Sequence, residues 1–389
     1  MLRLAALTLR GPSAFLVLGI ILLISGVALG AFASALGVRG LRLTLLHGDL
    51  LVFGAIPMIV TGFALRLLPR FFGTASFHGL LPAVVLLPIA LSAVLRVVAV
   101  AAPLPEAAVA AAALTAAGGL VFAGAVLRTV SSTERQRDDG ILFVLAALWL
   151  PAAGAFELAE VRAAALDAAL WGFAGGHIVA VYARTAPAFI AARPSGPRAL
   201  RVTVTLWHAG VAAAAFGQPA AWAAVLAGAL VLVSATRLYG SGIALRPIPP
   251  GASITRTALR LAFAWLVVAL GLLSLRGLGS ALGLSLPIDT GGARHAFTLG
   301  FLLPVIYAYG VRLVPLMIGG PQPVLRAVVA IVALANVGVL IRVVADATIR
   351  DASIAAAAVL ISATAAGAAL ALFITVAIRS MRRGGLPLA

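Results

Sequence analysis

Residues 45–69 read LLHGDLLVFGAIPMIVTGFALRLLP. Between Asp49 and Arg66 the stretch carries no charge, and an α-helix needs about 20 mainly apolar residues to cross a bilayer. His47 opens the run, and Arg66-Leu67-Leu68-Pro69 closes it. Arg suits a membrane interface because its long stem lets the guanidinium reach water, and Pro stops or kinks a helix. The same ending recurs at Arg184-Thr185-Ala186-Pro187 and at Arg312-Leu313-Val314-Pro315, at spacings of 118 and 128 residues. A His precedes each Arg in its run: His47, His177 and His295. Each ending taken alone is an ordinary helix terminus, but three in register point to an internal repeat.

Hydropathy around these runs predicts twelve helices, at about 13–36, 45–67, 79–101, 104–127, 140–160, 165–191, 200–216, 219–238, 257–281, 292–317, 324–344 and 353–378. The three marked runs are the second, sixth and tenth, so the repeat unit is four helices. The expected fold is therefore an all-α integral membrane protein of twelve transmembrane helices in three pseudo-repeats of four. It is read as a single polytopic membrane domain over residues 1–389, with neighbouring helices antiparallel.

Composition agrees. Of the 389 residues, 63% are hydrophobic and 10% charged, against about 25% charged in a soluble domain. The formal net charge of +17 invites a nucleic-acid reading, yet the basic residues are dispersed between apolar runs and form no patch. No nucleic-acid partner is expected; the partner is the lipid bilayer. All 28 basic residues are Arg, which removes Schiff-base and P-loop lysine chemistry. The absence of Cys excludes disulfides, iron–sulfur clusters, thiolate zinc sites and covalently attached c-type haem.

With the N-terminus inside, the inner loops collect Arg3, Arg10, Arg128, Arg135, Arg137, Arg193, Arg198, Arg201, Arg246 and Arg256. The C-terminal segment adds Arg379, Arg382 and Arg383. This positive-inside bias predicts that both termini are cytoplasmic.

Four of the five His fall inside predicted spans: His47, His177, His208 and His295; His78 is read as interfacial. One intramembrane His is most often a helix–helix hydrogen-bonding residue. Four on different helices, in a chain this poor in polar groups, favour metal binding, since buried polar groups are expensive and imidazole suits iron and copper. His47 and His295 both lie near the outer ends of their helices, as two axial ligands of one b-type haem would. His177 and His208 lie deeper, on consecutive helices, and could hold copper or a second metal. Arg294, beside His295, is suited to a haem propionate; Arg39 and Arg42 could serve the same way but read better as ordinary interfacial residues. Asp49 could support a neighbouring ligand or face an outer water cavity. Glu157, Glu160 and Asp167 could cap helices or feed protons to a buried centre. Gly172, Gly175 and Gly176 fit close helix packing.

The segments His47-Gly48-Asp49-Leu50-Leu51-Val52-Phe53-Gly54, Arg184-Thr185-Ala186-Pro187-Ala188-Phe189 and His295-Ala296-Phe297-Thr298-Leu299-Gly300, the last with Arg312 seventeen residues after its His, resemble the NnrS family. That family comprises membrane proteins containing haem and copper and linked to nitric oxide stress. The resemblance implies a bacterial inner-membrane protein that binds or processes a diatomic gas, most plausibly nitric oxide, at a His-ligated centre. Turnover would draw on an electron donor outside the chain. The chain departs from the family pattern at Asp49, where a second His is usual, and at Leu316-Met317-Ile318-Gly319-Gly320, where a basic stretch is usual. The placement of His on the second, sixth, seventh and tenth helices is also similar to the catalytic subunit of haem–copper oxidases. The paired His of that subunit's seventh helix and the second His of its tenth are absent, so proton-pumping respiration is not expected. Two rival readings are a secondary transporter of a small solute and a metal-free, oxidase-like membrane scaffold.

Overall fold

A computed structural model describes residues 12–36, 41–77, 79–102, 104–132, 137–240, 252–318, 325–348 and 352–383. His78, Arg39 and the inner-loop residues Arg3, Arg10, Arg135 and Arg246 lie outside these. Twelve helices follow the predicted order, and no strand occurs among the described residues. They are α1 (Pro12–Leu36), α2 (Leu41–Phe72), α3 (Leu81–Ala101), α4 (Pro105–Ser131), α5 (Arg137–Leu158), α6 (Arg162–Phe189) and α7 (Pro197–Ala215). After a short 3₁₀ turn come α8 (Trp222–Thr236), α9 (Ala252–Ala281), α10 (Thr290–Ile318), α11 (Leu325–Thr348) and α12 (Ala352–Arg383). Eleven are long and apolar enough to cross a membrane; α7 is not among them. Its opening turns carry Arg198 and Arg201, and Thr203, Thr205 and His208 dilute the apolar run that follows.

The chain divides into two compact units, residues 1–181 with 208–218, and residues 182–207 with 219–389. Both are built by helices that leave large apolar side chains such as Leu87, Leu120, Val268 and Ile361 exposed, as a lipid-facing surface requires. Small residues set the closest helix contacts in the first unit. A Cβ at Gly119 would lie 2.6 Å from the Pro151 nitrogen, and one at Gly154 would lie 2.6 Å from the Ala116 nitrogen. Without a hydrophobic force between helices in lipid, such close backbone approach supplies the packing energy.

Helices α2, α6 and α10 share an irregularity that hydropathy does not predict. Each is interrupted by a π-helical stretch: Leu50–Ala55, Ala168–Gly175 and Ala296–Leu302. All three stretches begin sixteen residues before the repeated Arg, at Arg66, Arg184 and Arg312. In α2 and α10 a proline follows closely, Pro57 and Pro304. Proline has no N–H to donate and its ring crowds the carbonyl four residues back, which favours a widened turn. In α6 the flexible Gly172, Gly175 and Gly176 stand there instead. The threefold repeat of four-helix units is thus present in backbone geometry as well as in sequence.

Replacing Gly154 by Val should force α4 and α5 apart at the Ala112–Ala116 backbone. The expected cost is about 1–3 kcal/mol, read as a lower thermal midpoint in detergent, whereas Gly124→Val, where a Cβ meets nothing within 4 Å, should leave the midpoint near wild type.

Candidate metal and ligand centres

Each π-helical stretch lies next to a histidine. His47 stands three residues before the first, His177 two residues after the second, and His295 immediately before the third. A π turn carries one extra residue and re-aims the side chains beside it, which is why such turns gather at functional sites.

The first unit holds three of these histidines. His47 Nδ1 donates to the Gly26 carbonyl at 2.7 Å, and α1 comes close enough for this because Gly30, which has no Cβ, lies against the imidazole ring. His177 is 3% exposed, and its Nδ1 donates to the Phe173 carbonyl one turn back at 2.8 Å. Rings of Phe173, Phe122 and Phe143 surround it, with centroids 4.7, 5.7 and 6.3 Å from the imidazole. His177 Nε2 is buried and makes no hydrogen bond among the described residues. His208, also buried, receives the Trp149 indole N–H on Nδ1 at 2.9 Å, and its Nε2 is likewise buried without a partner. Its ring covers the residue before His177: a Cβ at Gly176 would lie 3.0 Å from His208 Cε1.

The second unit holds His295, whose imidazole is 26% exposed. Asp346 Oδ2 lies 3.2 Å from His295 Nδ1 and 3.2 Å from Arg342 Nε, while Arg342 Nε also points at the same imidazole nitrogen, at 3.3 Å. One nitrogen cannot both donate to the carboxylate and accept from the guanidinium. The Arg342 hydrogen bond puts the ring hydrogen on Nε2; a hydrogen on Nδ1 would instead face Asp346 Oδ2, which makes no hydrogen bond among the described residues, and would leave Nε2 a lone pair. Arg294 is half-buried beside it.

Among the described residues no three of His, Cys, Asp or Glu come together to hold a metal ion. Each candidate site therefore offers at most two such side chains among the described residues. A haem, which brings its own four nitrogens and asks the protein for only one or two, suits such a set better than a bare ion does. His47 and His295 belong to different units.

The acidic residues take other roles. Asp49 pairs with Arg162, not with an imidazole. Glu157 accepts from both guanidinium nitrogens of Arg96, at 2.8 and 2.5 Å, and lies 3.7 Å from Arg162. Arg96 is 4% exposed; its guanidinium sits 4.1 Å from the centre of the Phe53 ring and donates to Thr115. Sequence reasoning passed over Arg96, Arg162 and Trp149. A charged residue inside the apolar third span was the available signal for Arg96; none pointed to Trp149.

The fold and these centres define an all-α, multi-pass membrane protein with buried and half-buried imidazoles beside π-helical turns. Residues 11–383 match the NnrS protein family, and the chain belongs to that family. Comparison with curated proteins returns no match.

Removing one partner of a buried, bidentate ion pair leaves an uncompensated charge. Arg96→Ala should therefore destabilise the protein by about 3–5 kcal/mol, and Arg96→Met with Glu157→Leu should recover most of that loss, both measured by thermal unfolding in detergent.

Proposed function

We propose that this protein is a membrane haem protein that binds nitric oxide, or a similar diatomic gas, at a His-ligated centre. The observation that carries the reading is how the imidazoles are held. A histidine that ligates a metal through one nitrogen almost always donates from the other to a carbonyl or carboxylate, which fixes the ring and raises its basicity. His47 and His177 donate from Nδ1 to carbonyls, and His295 has a carboxylate within reach. His47 and His177 thus have Nε2 as the candidate ligand nitrogen, and His295 has it when its hydrogen is on Nδ1.

His47 and His295 are each a candidate ligand of a non-covalent b-type haem, and Arg294 is the candidate partner of a propionate. His177, in its cage of phenylalanines, is the candidate ligand of copper or another second metal. Such a haem, held through a single imidazole, would supply the iron position at which a diatomic gas binds. The protein's own share is to fix the rings, to exclude water through Phe122, Phe143 and Phe173, and to raise the basicity of His295 through Asp346. Family membership and the positive-inside bias support placement in a bacterial inner membrane with both termini cytoplasmic.

A reduced-minus-oxidised visible spectrum of protein made with ample haem tests the reading. The expected result is b-type bands, lost in His47→Ala or His295→Ala, and reported haem affinity about 10–100-fold weaker in Asp346→Ala. Bands lost in both His variants would make both residues ligands, and a featureless wild-type spectrum would sink the haem reading.

A further inference from the structure

The two buried histidines of the first unit differ in one respect that decides their chemistry. Indole N–H can only donate, so the Trp149 bond at 2.9 Å makes His208 Nδ1 an acceptor and puts the ring hydrogen on Nε2. A carbonyl can only accept, so the Phe173 bond at 2.8 Å puts the hydrogen of His177 on Nδ1 and leaves its Nε2 a bare lone pair. Both Nε2 atoms are buried, with no partner among the described residues. The pair therefore offers one acceptor, on His177, and one donor, on His208.

The internal repeat says which half of His208 is structural. Asn336, on α11, lies 128 residues beyond His208, the same interval that separates Gly172 from Gly300 and Arg184 from Arg312. It too receives an indole N–H: Trp265 Nε1 donates to Asn336 Oδ1 at 3.0 Å. Each Trp lies against the repeated glycine, Trp149 on Gly172 and Trp265 on Gly300. Accepting from the indole is thus the duty that both positions share. Asn336 then spends its own donor on the Val332 carbonyl at 2.8 Å. His208 has no such partner for Nε2–H among the described residues, and a buried donor left unmade costs free energy.

We infer that His208 is not a metal ligand but a fixed hydrogen-bond donor, its Nε2–H held in place by Trp149 and offered to a small uncharged acceptor molecule bound beside His177. Trp149 is then a positioning residue that acts through His208. The identity of the acceptor as a diatomic gas rests on the reading proposed above; the donor role does not.

The test begins on full-length, metal-free protein with ¹⁵N-labelled histidine, where long-range ¹H–¹⁵N spectra of only five imidazoles report which nitrogen carries the hydrogen. The inference requires the Nε2–H tautomer at His208 and Nδ1–H at His177, with Trp149→Phe turning His208 into a mixture of tautomers. Nδ1–H at His208 in the wild type would overturn it. Copper(I) is then added as a probe. Uptake lost in His177→Ala but kept in His208→Asn, which copies the Asn336 arrangement and so preserves the Trp149 bond, supports the assignment. Loss of uptake in His208→Asn equal to that in His177→Ala overturns it. Nitric oxide affinity should fall about threefold to tenfold in His208→Leu, the weight of one hydrogen bond. Correct tautomers in a protein that takes up neither haem nor copper would support the donor role while defeating the gas-binding reading, so the two can fail separately.

Discussion

A buried imidazole has two nitrogens and one hydrogen, and in an interior without water the partner of the first nitrogen dictates the chemistry of the second. This constraint organises the protein's polar interior. His47 and His177 spend Nδ1–H on carbonyls, whereas His208 spends its Nδ1 lone pair on an indole. His295 stands between a carboxylate and a guanidinium, either of which can take its Nδ1. The same residue type is thereby divided into ligand candidates, one donor, and one ring whose role follows the position of a proton.

The backbone that makes these contacts possible is irregular at three equivalent places. The π-helical stretches of α2, α6 and α10 begin at one register relative to Arg66, Arg184 and Arg312, and each carries a glycine twelve residues before that Arg. At Gly172 and Gly300 the missing Cβ admits the rings of Trp149 and Trp265. Those tryptophans in turn reach His208 and Asn336. Glycine, indole and acceptor thus form one module, used twice, and His208, standing where the other copy has Asn336, adds a donor with no partner among the described residues. Such reuse is what a repeat of four-helix units allows: the scaffold is copied and the chemistry is changed by single residues.

Much of the fold was legible in the sequence because hydropathy and positional repetition are local signals. Eleven of the predicted spans stand as helices able to cross a membrane, and the Arg-x-x-Pro endings marked the repeat. The seventh span was harder to read, since Arg198, Arg201 and His208 interrupt its apolar run. The π-helical stretches were not legible, because i→i+4 and i→i+5 bonding leave the same hydropathy; only Pro57 and Pro304 hinted at them. The four site histidines were legible as rare polar groups in apolar runs, but their roles were not. The bonds that set those roles join residues far apart in sequence, as Trp149 does to His208 and Asp346 to His295. For the same reason Asp49 and Glu157 read as possible helpers of a metal centre, while the structure gives them to Arg162 and Arg96.

The central claim is that imidazole Nε2 atoms of this chain ligate a metal centre. The most direct measurement is electron spin-echo spectroscopy of the purified, paramagnetic protein, with and without ¹⁵N-labelled histidine. The account predicts nuclear modulation from directly bound imidazole nitrogen that changes frequency on labelling. A paramagnetic centre whose spectrum is indifferent to the histidine isotope would contradict it.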